Sequence, residues 1–155
     1  MQIAIRHPGV VDKLVVVSSF YKREGMIPGF FEGLQQATLD NMPEPLKIHY
    51  LQVNSDTKGL QKMFDKDRER MLLFEDWSDE DLRSIQAPAL LIVGDRDVMT
   101  MEHAVKMSKM ISNARLMIVP GTHGSFIGEV CSAEEGSRMP EITIAVTREF
   151  LDAVD

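Results

Sequence analysis

The chain has 155 residues, of which 17 are basic and 24 acidic, so its formal net charge is −7. This length is sufficient for one domain with a buried core. Hydrophobic residues make up 44% and charged residues 26%, which is typical of a folded domain and not of a disordered segment. No basic stripe offsets the acidic excess, so we expect no nucleic-acid partner.

Cysteine content and hydropathy give expectations about location. The single cysteine, Cys131, excludes an internal disulfide and is typical of a reducing compartment. No apolar run is long enough to span a bilayer, and no secretory signal opens the sequence. We therefore expect a cytoplasmic protein with no membrane contact.

The amino-terminal residues predict a short helix followed by a strand. Residues 1–7 form an apolar helix end, which Pro8 closes because the residue before proline is driven out of the helical region. The β-branched run from Leu14 to Val17 predicts a buried strand. Ser18 and Ser19 follow it, and we predict that they are ordinary polar residues at a strand end.

The next stretch, residues 20–85, contains no strand-like alternation and predicts only helices. Ser78 and Asp81 have the spacing of a capping box, with aspartate in place of glutamate, at the start of the last of these helices. The predicted helices span residues 30–41, 45–53, 58–74 and 78–85.

The most informative stretch, residues 87–128, predicts a strand, an acidic loop, a helix, a strand and a histidine loop. The apolar runs 89–93 and 116–119 predict two strands, and apolar residues at helical spacing predict a helix over 100–112. Asp97 follows the first strand and His123 follows the second. A right-handed crossover brings both loops to the same edge of a parallel sheet, at the carboxyl ends of its strands.

The remaining carboxyl-terminal residues predict a long loop over 124–139 and a closing helix that starts at Pro140. The helical spacing of four apolar residues predicts the face that packs on the core. These residues are Ile142, Ala145, Val146 and Phe150.

A carboxylate and a histidine at one sheet edge indicate a particular chemistry. An imidazole can take and return a proton near neutral pH, and a carboxylate can fix its tautomer. Such a pair is the acid and base of a nucleophilic triad. The order of acid, helix, strand and base is the order found in α/β-hydrolases, in which the serine lies upstream.

Two motifs carry a resemblance to that family. The sequence GDRDV at 94–98 followed by PGTHG at 120–124 resembles the last two catalytic loops of α/β-hydrolase-fold enzymes. The resemblance implies that Asp97 is the catalytic acid and His123 the catalytic base. Residues 1–19 are similar to the helix after the nucleophile elbow and to the next strand. The chain therefore resembles the carboxyl-terminal half of such an enzyme, the cap plus the last strands, without the nucleophile elbow.

The resemblance implies a fold class, a domain division and a type of ligand. We expect an α/β chain with a partial α/β-hydrolase fold, in which three mostly parallel strands carry flanking helices and an inserted helical cap. Residues 1–20 and 86–155 would form the partial core, and residues 21–85 the cap. A small-molecule substrate or ligand is expected, with no metal and no cofactor, and the sequence identifies no substrate-binding residues.

The nucleophile is the missing part of the triad. No Gly-x-Ser-x-Gly motif occurs, and the nearest string, GSFIG at 124–128, has the wrong spacing and lies beyond His123. We predict that Ser125 only shapes its loop. The sequence thus predicts a hydrolase of esters or similar acyl substrates that is represented here by its acid and base. The chain alone is expected to be inactive.

Other interpretations of these residues remain open. Asp95 is a rival acid, although we expect it to hydrogen-bond the turn or pair with a neighbouring arginine, and we expect His103 to be solvated. The chain could instead be a non-catalytic remnant that binds a small apolar ligand or assembles with itself. The last alternative, a regulatory domain in which Asp97 accepts phosphate or magnesium, needs a further acidic cluster and a lysine that the pattern does not supply.

Finally, the absent part of the sheet predicts self-association. Without the strand that normally pairs with residues 14–18, Val15, Val16 and Val17 would form an apolar, unpaired edge. We therefore expect a homo-oligomer that forms through this edge or through the cap helices.

Overall fold

A computed structural model describes residues 1–153. The chain forms two compact units. The first unit contains residues 1–27 and the chain from residue 76 onwards, and the second contains residues 28–75. The assignment of residues 21–85 as a cap stays a prediction.

The first unit is built on a three-stranded sheet. The strands are β1 (Leu14–Val17), β2 (Ala89–Gly94) and β3 (Ala114–Val119), and their spatial order is β1-β2-β3. Both pairings are parallel. Every residue of β2 is buried, because this strand lies between the other two and both of its faces are covered. The expected sheet of three parallel strands is thus confirmed.

Seven α-helices occur among residues 1–153, and none of these is both long enough and apolar enough to cross a membrane. Short 3₁₀ turns at Pro8–Val10, Arg23–Gly25, Leu39–Asn41 and Ser125–Ile127 join several of the elements. The helices are α1 (Gln2–Arg6), α2 (Phe30–Gln35), α3 (Glu44–Val53), α4 (Thr57–Leu72), α5 (Asp79–Arg83), α6 (Met101–Met110) and α7 (Met139–Asp152).

Local hydrogen bonds explain where two helices of the first unit begin. Ser78 Oγ accepts from the Asp81 N–H and Asp81 Oδ2 accepts from the Ser78 N–H, both at 3.0 Å, so the predicted capping box at α5 is confirmed. At α6, Thr100 Oγ1 accepts from the His103 N–H at 3.3 Å. These caps satisfy amides that have no partner within the helix.

One predicted helix of the second unit is shorter than expected. The segment 30–41 is helical only in α2 and then forms the 3₁₀ turn Leu39–Asn41. The Thr38 N–H donates to Asn41 Oδ1 at 2.9 Å. This amide is therefore bonded to a side chain and not to a backbone carbonyl of the preceding turn, so the helix does not continue.

The prediction of which face of α7 packs on the core is wrong. Only Phe150 of the four predicted residues is buried, together with Thr143, whereas Ile142 is 47% exposed. Apolar residues occur on several faces of α7, and helical periodicity therefore could not select the face that packs on the sheet.

The core covers both faces of the sheet. Residues of β2 alternate between them: Ala89 and Leu91 belong to one apolar cluster, and Leu90 and Ile92 to the other. The first cluster includes Tyr21 and side chains of α5 and α6, and the second includes Phe126 and Phe150. Burial of each large apolar side chain contributes about 2 kcal/mol, and this packing fixes the strand ends that carry the polar residues.

Candidate active site

Polar side chains follow each strand of the sheet at its carboxyl end, and three of them form the candidate site. Ser18 follows β1, Asp97 lies in the turn after β2, and His123 lies in the loop after β3. Because the strands are parallel, these three residues lie at the same edge of the sheet.

Asp97 is the centre of this group. Its Oδ1 atom lies 2.9 Å from His123 Nδ1 and accepts the Met99 N–H at 3.2 Å. Its Oδ2 atom accepts the Ser18 hydroxyl at 2.5 Å. The structure therefore brings the two predicted site residues together and adds Ser18 to them.

The acid and the histidine differ in exposure. The Asp97 side chain is 0% exposed, whereas the His123 side chain is 55% exposed. With Nδ1 directed to Asp97, the other ring nitrogen of His123 forms no hydrogen bond to any residue in the described part of the chain. A buried carboxylate that orients a half-exposed imidazole leaves Nε2 available to exchange a proton with a bound molecule.

The environment moves the two pKa values in opposite directions. Burial raises the pKa of Asp97, but the hydrogen bonds from His123, Ser18 and the Met99 N–H outweigh it, so the net pKa of this carboxyl lies below its ordinary value. The hydrogen bond to Asp97 raises the pKa of His123, and burial offsets only part of that increase. Both effects favour an ionised Asp97 beside a basic imidazole.

Asp95 holds the two loops together and does not contact the histidine ring. Its Oδ1 atom accepts the Gly121 N–H at 2.9 Å, and its own N–H donates to the Val119 carbonyl at 2.8 Å. The Asp95 side chain therefore hydrogen-bonds the histidine loop, whereas the sequence predicted a bond within its own turn or an ion pair with a neighbouring arginine.

The loop that carries His123 passes directly over Gly94. A Cβ atom at Gly94 would overlap the Gly121 carbonyl oxygen and would lie 3.2 Å from that of Thr122. Only glycine permits this approach of backbone to backbone. Gly94 therefore fixes the distance between the acid loop and the histidine loop.

Ser18 is not an ordinary polar residue at a strand end, so that prediction is wrong. Its N–H donates to the Ile92 carbonyl at 2.9 Å, which continues the pairing of β1 with β2. Its φ angle is +45°, a left-handed conformation that costs a non-glycine residue roughly 1–2 kcal/mol. Its position after the strand next to β2 was the signal that sequence reasoning missed, because that position shares the edge with Asp97.

The other serine near the histidine has a local role. Ser125 Oγ accepts the Thr122 N–H at 2.9 Å and lies 3.2 Å from the Thr122 carbonyl. The prediction that Ser125 shapes its loop is confirmed. Within residues 1–153, no group of three or more histidine, cysteine or acidic side chains is placed to hold a metal ion.

His103 is buried, and the prediction that it is solvated is wrong. It is 4% exposed and stacks on the Tyr21 ring with centroids 4.8 Å apart, and its Nε2 accepts the Tyr21 N–H at 3.4 Å. Burial lowers the pKa of this imidazole. The sequence signal for this burial was the position of His103 beside Ala104 and Met107 on the apolar stripe of α6.

Comparison with known proteins identifies the fold. No protein-family model matches the chain, and no curated protein sequence matches it. Solved structures that resemble it include a serine hydrolase involved in carbazole degradation, with 19% identity and a TM-score of 0.65. A second is the 2-hydroxy-6-oxo-6-phenylhexa-2,4-dienoate hydrolase of a Rhodococcus species, with 14% identity and a TM-score of 0.68. A third is a meta-cleavage product hydrolase of Pseudomonas fluorescens, with 17% identity and a TM-score of 0.63.

The extent of these matches agrees with a partial fold. They cover 96–98% of this chain but only 57–60% of the neighbours' own chains. The chain therefore has an α/β-hydrolase fold, and the expected resemblance to the carboxyl-terminal half of that fold is confirmed.

Proposed function

We propose that this chain is the carboxyl-terminal half of an α/β-hydrolase-type hydrolase that acts on an ester or a similar acyl substrate. The observation that carries the proposal is the 2.9 Å contact between His123 Nδ1 and the buried Asp97 carboxylate, while Nε2 has no hydrogen-bond partner among residues 1–153. The hydrolases among the structural neighbours support the reaction class.

In this proposal Asp97 and His123 have the roles of acid and base. Asp97 holds the Nδ1–H tautomer and stabilises the imidazolium that forms during the reaction. His123 Nε2 removes the proton from the nucleophile and returns it to the leaving group. In this proposal the serine and the oxyanion hole belong to a part of the enzyme outside this chain.

Fluorophosphonate labelling of the purified chain, read by intact mass, tests whether this chain lacks the nucleophile of the triad. We expect no adduct, since the proposed chain contributes no nucleophile. A single adduct on Ser18, Ser19 or Ser125 that disappears in His123→Ala would contradict the proposal, because the chain would then hold its own activated serine.

A second experiment tests the reaction itself. The reading frame upstream of Met1 is searched for Gly-x-Ser-x-Gly, and the extended chain is assayed on a p-nitrophenyl ester. We expect His123→Ala to lower kcat by about 10³-fold or more in that chain, with Ser19→Ala as a folded control. An extended chain without the motif, or one whose rate survives His123→Ala, would favour the non-catalytic remnant.

We also propose that the chain forms a homo-oligomer. Within the described residues β1 pairs only with β2, which leaves its other edge without a partner strand. Large apolar side chains are also exposed on the first unit, among them Val10 at 72% and Ile144 at 52%. Light scattering over a hundredfold range of concentration tests the proposal, and a monodisperse monomer throughout would refute it.

A further inference from the structure

We propose that Ser18 is a positioning residue that fixes the Asp97 carboxylate in the orientation that His123 requires. This inference rests on the proposed function, because it concerns the same acid and base. It assigns a role to a residue that the sequence predicted to be an ordinary polar residue at a strand end.

The partners of the Asp97 oxygens show why a positioning group is needed. Oδ1 accepts from His123 and from the Met99 N–H, whereas Oδ2 accepts only from Ser18 within the described residues. The Asp97 side chain is fully buried, so water does not replace a lost partner at Oδ2. Without the Ser18 hydroxyl, the carboxylate could rotate about χ2 and share its oxygens differently between Met99 and His123.

The backbone of Ser18 is strained, as is common at functional sites. The residue combines a strand-pairing N–H with the left-handed φ of +45°. A serine persists in this conformation only where its surroundings hold it there, and such strain is concentrated at functional sites. The turn directs the hydroxyl to Asp97 at the point where β1 ends.

The two loops on either side of this contact are joined to each other. The Ile27 N–H donates to the Val98 carbonyl at 2.9 Å, and the Thr100 N–H donates to the Gly25 carbonyl at 2.8 Å. The segment that follows Ser18 and the loop that carries Asp97 therefore form one hydrogen-bonded unit. A hydroxyl on so fixed a backbone can hold a carboxylate in one orientation.

Electrostatics agrees with this geometry. The Ser18 hydroxyl is one of the groups that together overcome burial and keep the pKa of Asp97 below its ordinary value. A donor that stabilises the charged form of a carboxyl lowers its pKa, so removal of the hydroxyl should raise it.

The test is a carbon NMR titration of the Asp97 carboxyl, together with nitrogen NMR of the His123 tautomer, in four proteins. These are the unmodified chain, Ser18→Ala, Ser18→Gly and the control Ser19→Ala. Ser18→Ala removes the hydroxyl and keeps the strain, whereas Ser18→Gly removes both. Comparison of the two variants separates the hydroxyl from the backbone conformation.

We expect the pKa of Asp97 to rise in both Ser18 variants and the Nδ1–H tautomer of His123 to lose population in both, with Ser19→Ala unchanged. We also expect Ser18→Gly to unfold at a higher denaturant concentration than Ser18→Ala. If Ser18 were only structural, glycine would restore stability while Asp97 and His123 stayed as in the unmodified chain. That result would overturn the inference.

Failure of the proposed function would look different. In that case the extended chain would lack the Gly-x-Ser-x-Gly motif or keep its rate in His123→Ala, whatever the response of Asp97 and His123 to the Ser18 variants. If the coupling is present but does not respond to either Ser18 variant, only the role of Ser18 is overturned.

Discussion

Two histidines of the first unit have opposite environments. His103 is buried against Tyr21 and accepts a backbone N–H, whereas His123 is half-exposed and contacts the Asp97 carboxylate. Burial lowers the pKa of His103, and the hydrogen bond to Asp97 raises that of His123. The comparison shows that burial dominates the pKa of one histidine, whereas a carboxylate partner dominates that of the other.

The same comparison shows how each ring is placed. His103 packs against Gly25, where a Cβ atom would lie 2.5 Å from the imidazole, and the His123 loop passes over Gly94. One glycine faces a side chain and the other faces backbone carbonyls. The first contact stabilises the fold, and the second sets the geometry of the candidate site.

The largest expected effect comes from Gly94→Ala. The new methyl group would overlap the Gly121 carbonyl, and because backbone cannot rotate away, the histidine loop must shift. We expect a loss of about 3 kcal/mol in the free energy of unfolding, measured by urea denaturation, and loss of the contact between His123 and Asp97. Gly33→Ala is the matched control, since nothing lies near its Cβ position. An unchanged stability in Gly94→Ala would contradict the close approach.

Gly25→Ala should have a smaller effect. Its methyl group would lie 2.5 Å from the His103 ring, which must shift, but a side chain can move where the backbone over Gly94 cannot. We expect a loss of about 2 kcal/mol by urea denaturation and an increase in the pKa of His103 as the ring becomes more exposed. A lower pKa in the variant would show that burial is not the cause of the shift.

The pH dependence of stability separates the two histidines further. The pKa of His103 is lowered on folding, so its contribution is present above about 6.5 and is lost as the pH falls through the folded value. The pKa of His123 is raised, so its contribution is present below about 6.5 and is lost as the pH rises through the folded value. When the pH is lowered from 8 to 5, the free energy of unfolding, measured by urea denaturation, should therefore fall less in His103→Phe than in the unmodified chain. In His123→Gln it should fall more. Equal slopes in the three proteins would contradict these assignments.

The smallest expected effect is that of Glu24→Gln. Glu24 pairs with Lys106 at 2.8 Å on the surface, and its charge raises the pKa of His103 against the larger effect of burial. The charged groups that act on His103 are Glu24, Lys106, Asp76 and Lys22. We expect a small further decrease in the pKa of His103 by NMR titration and no change in that of His123. Glu80→Gln, on the exposed face of α5, is the control.

Much of the fold could be predicted from local patterns. The β-branched run of β1, the apolar run of β2 and the capping box of α5 each agree with a single structure, because pattern and propensity point the same way there. The inner face of α7 could not be predicted, since its apolar residues surround the helix and only the neighbouring elements decide which of them are buried.

The candidate site, like the fold, could be predicted from the sequence only in part. The pairing of Asp97 with His123 followed from strand order, because parallel strands bring their carboxyl ends to one edge. The contact of Ser18 with Asp97 did not, since it depends on a left-handed turn that serine does not favour and that only the tertiary structure can hold. Burial of His103 depends on the segment after β1, far away in the sequence.

The most direct test of the acid–base pair Asp97 and His123 is a nitrogen NMR titration of both histidines in the unmodified chain and in Asp97→Asn. We expect a titration midpoint for His123 above about 6.5 and one for His103 below it. We also expect Asp97→Asn to lower the midpoint of His123 and to leave that of His103 unchanged. A His123 midpoint at or below 6.5 that does not respond to Asp97→Asn would contradict the claim that these two residues form an acid–base pair.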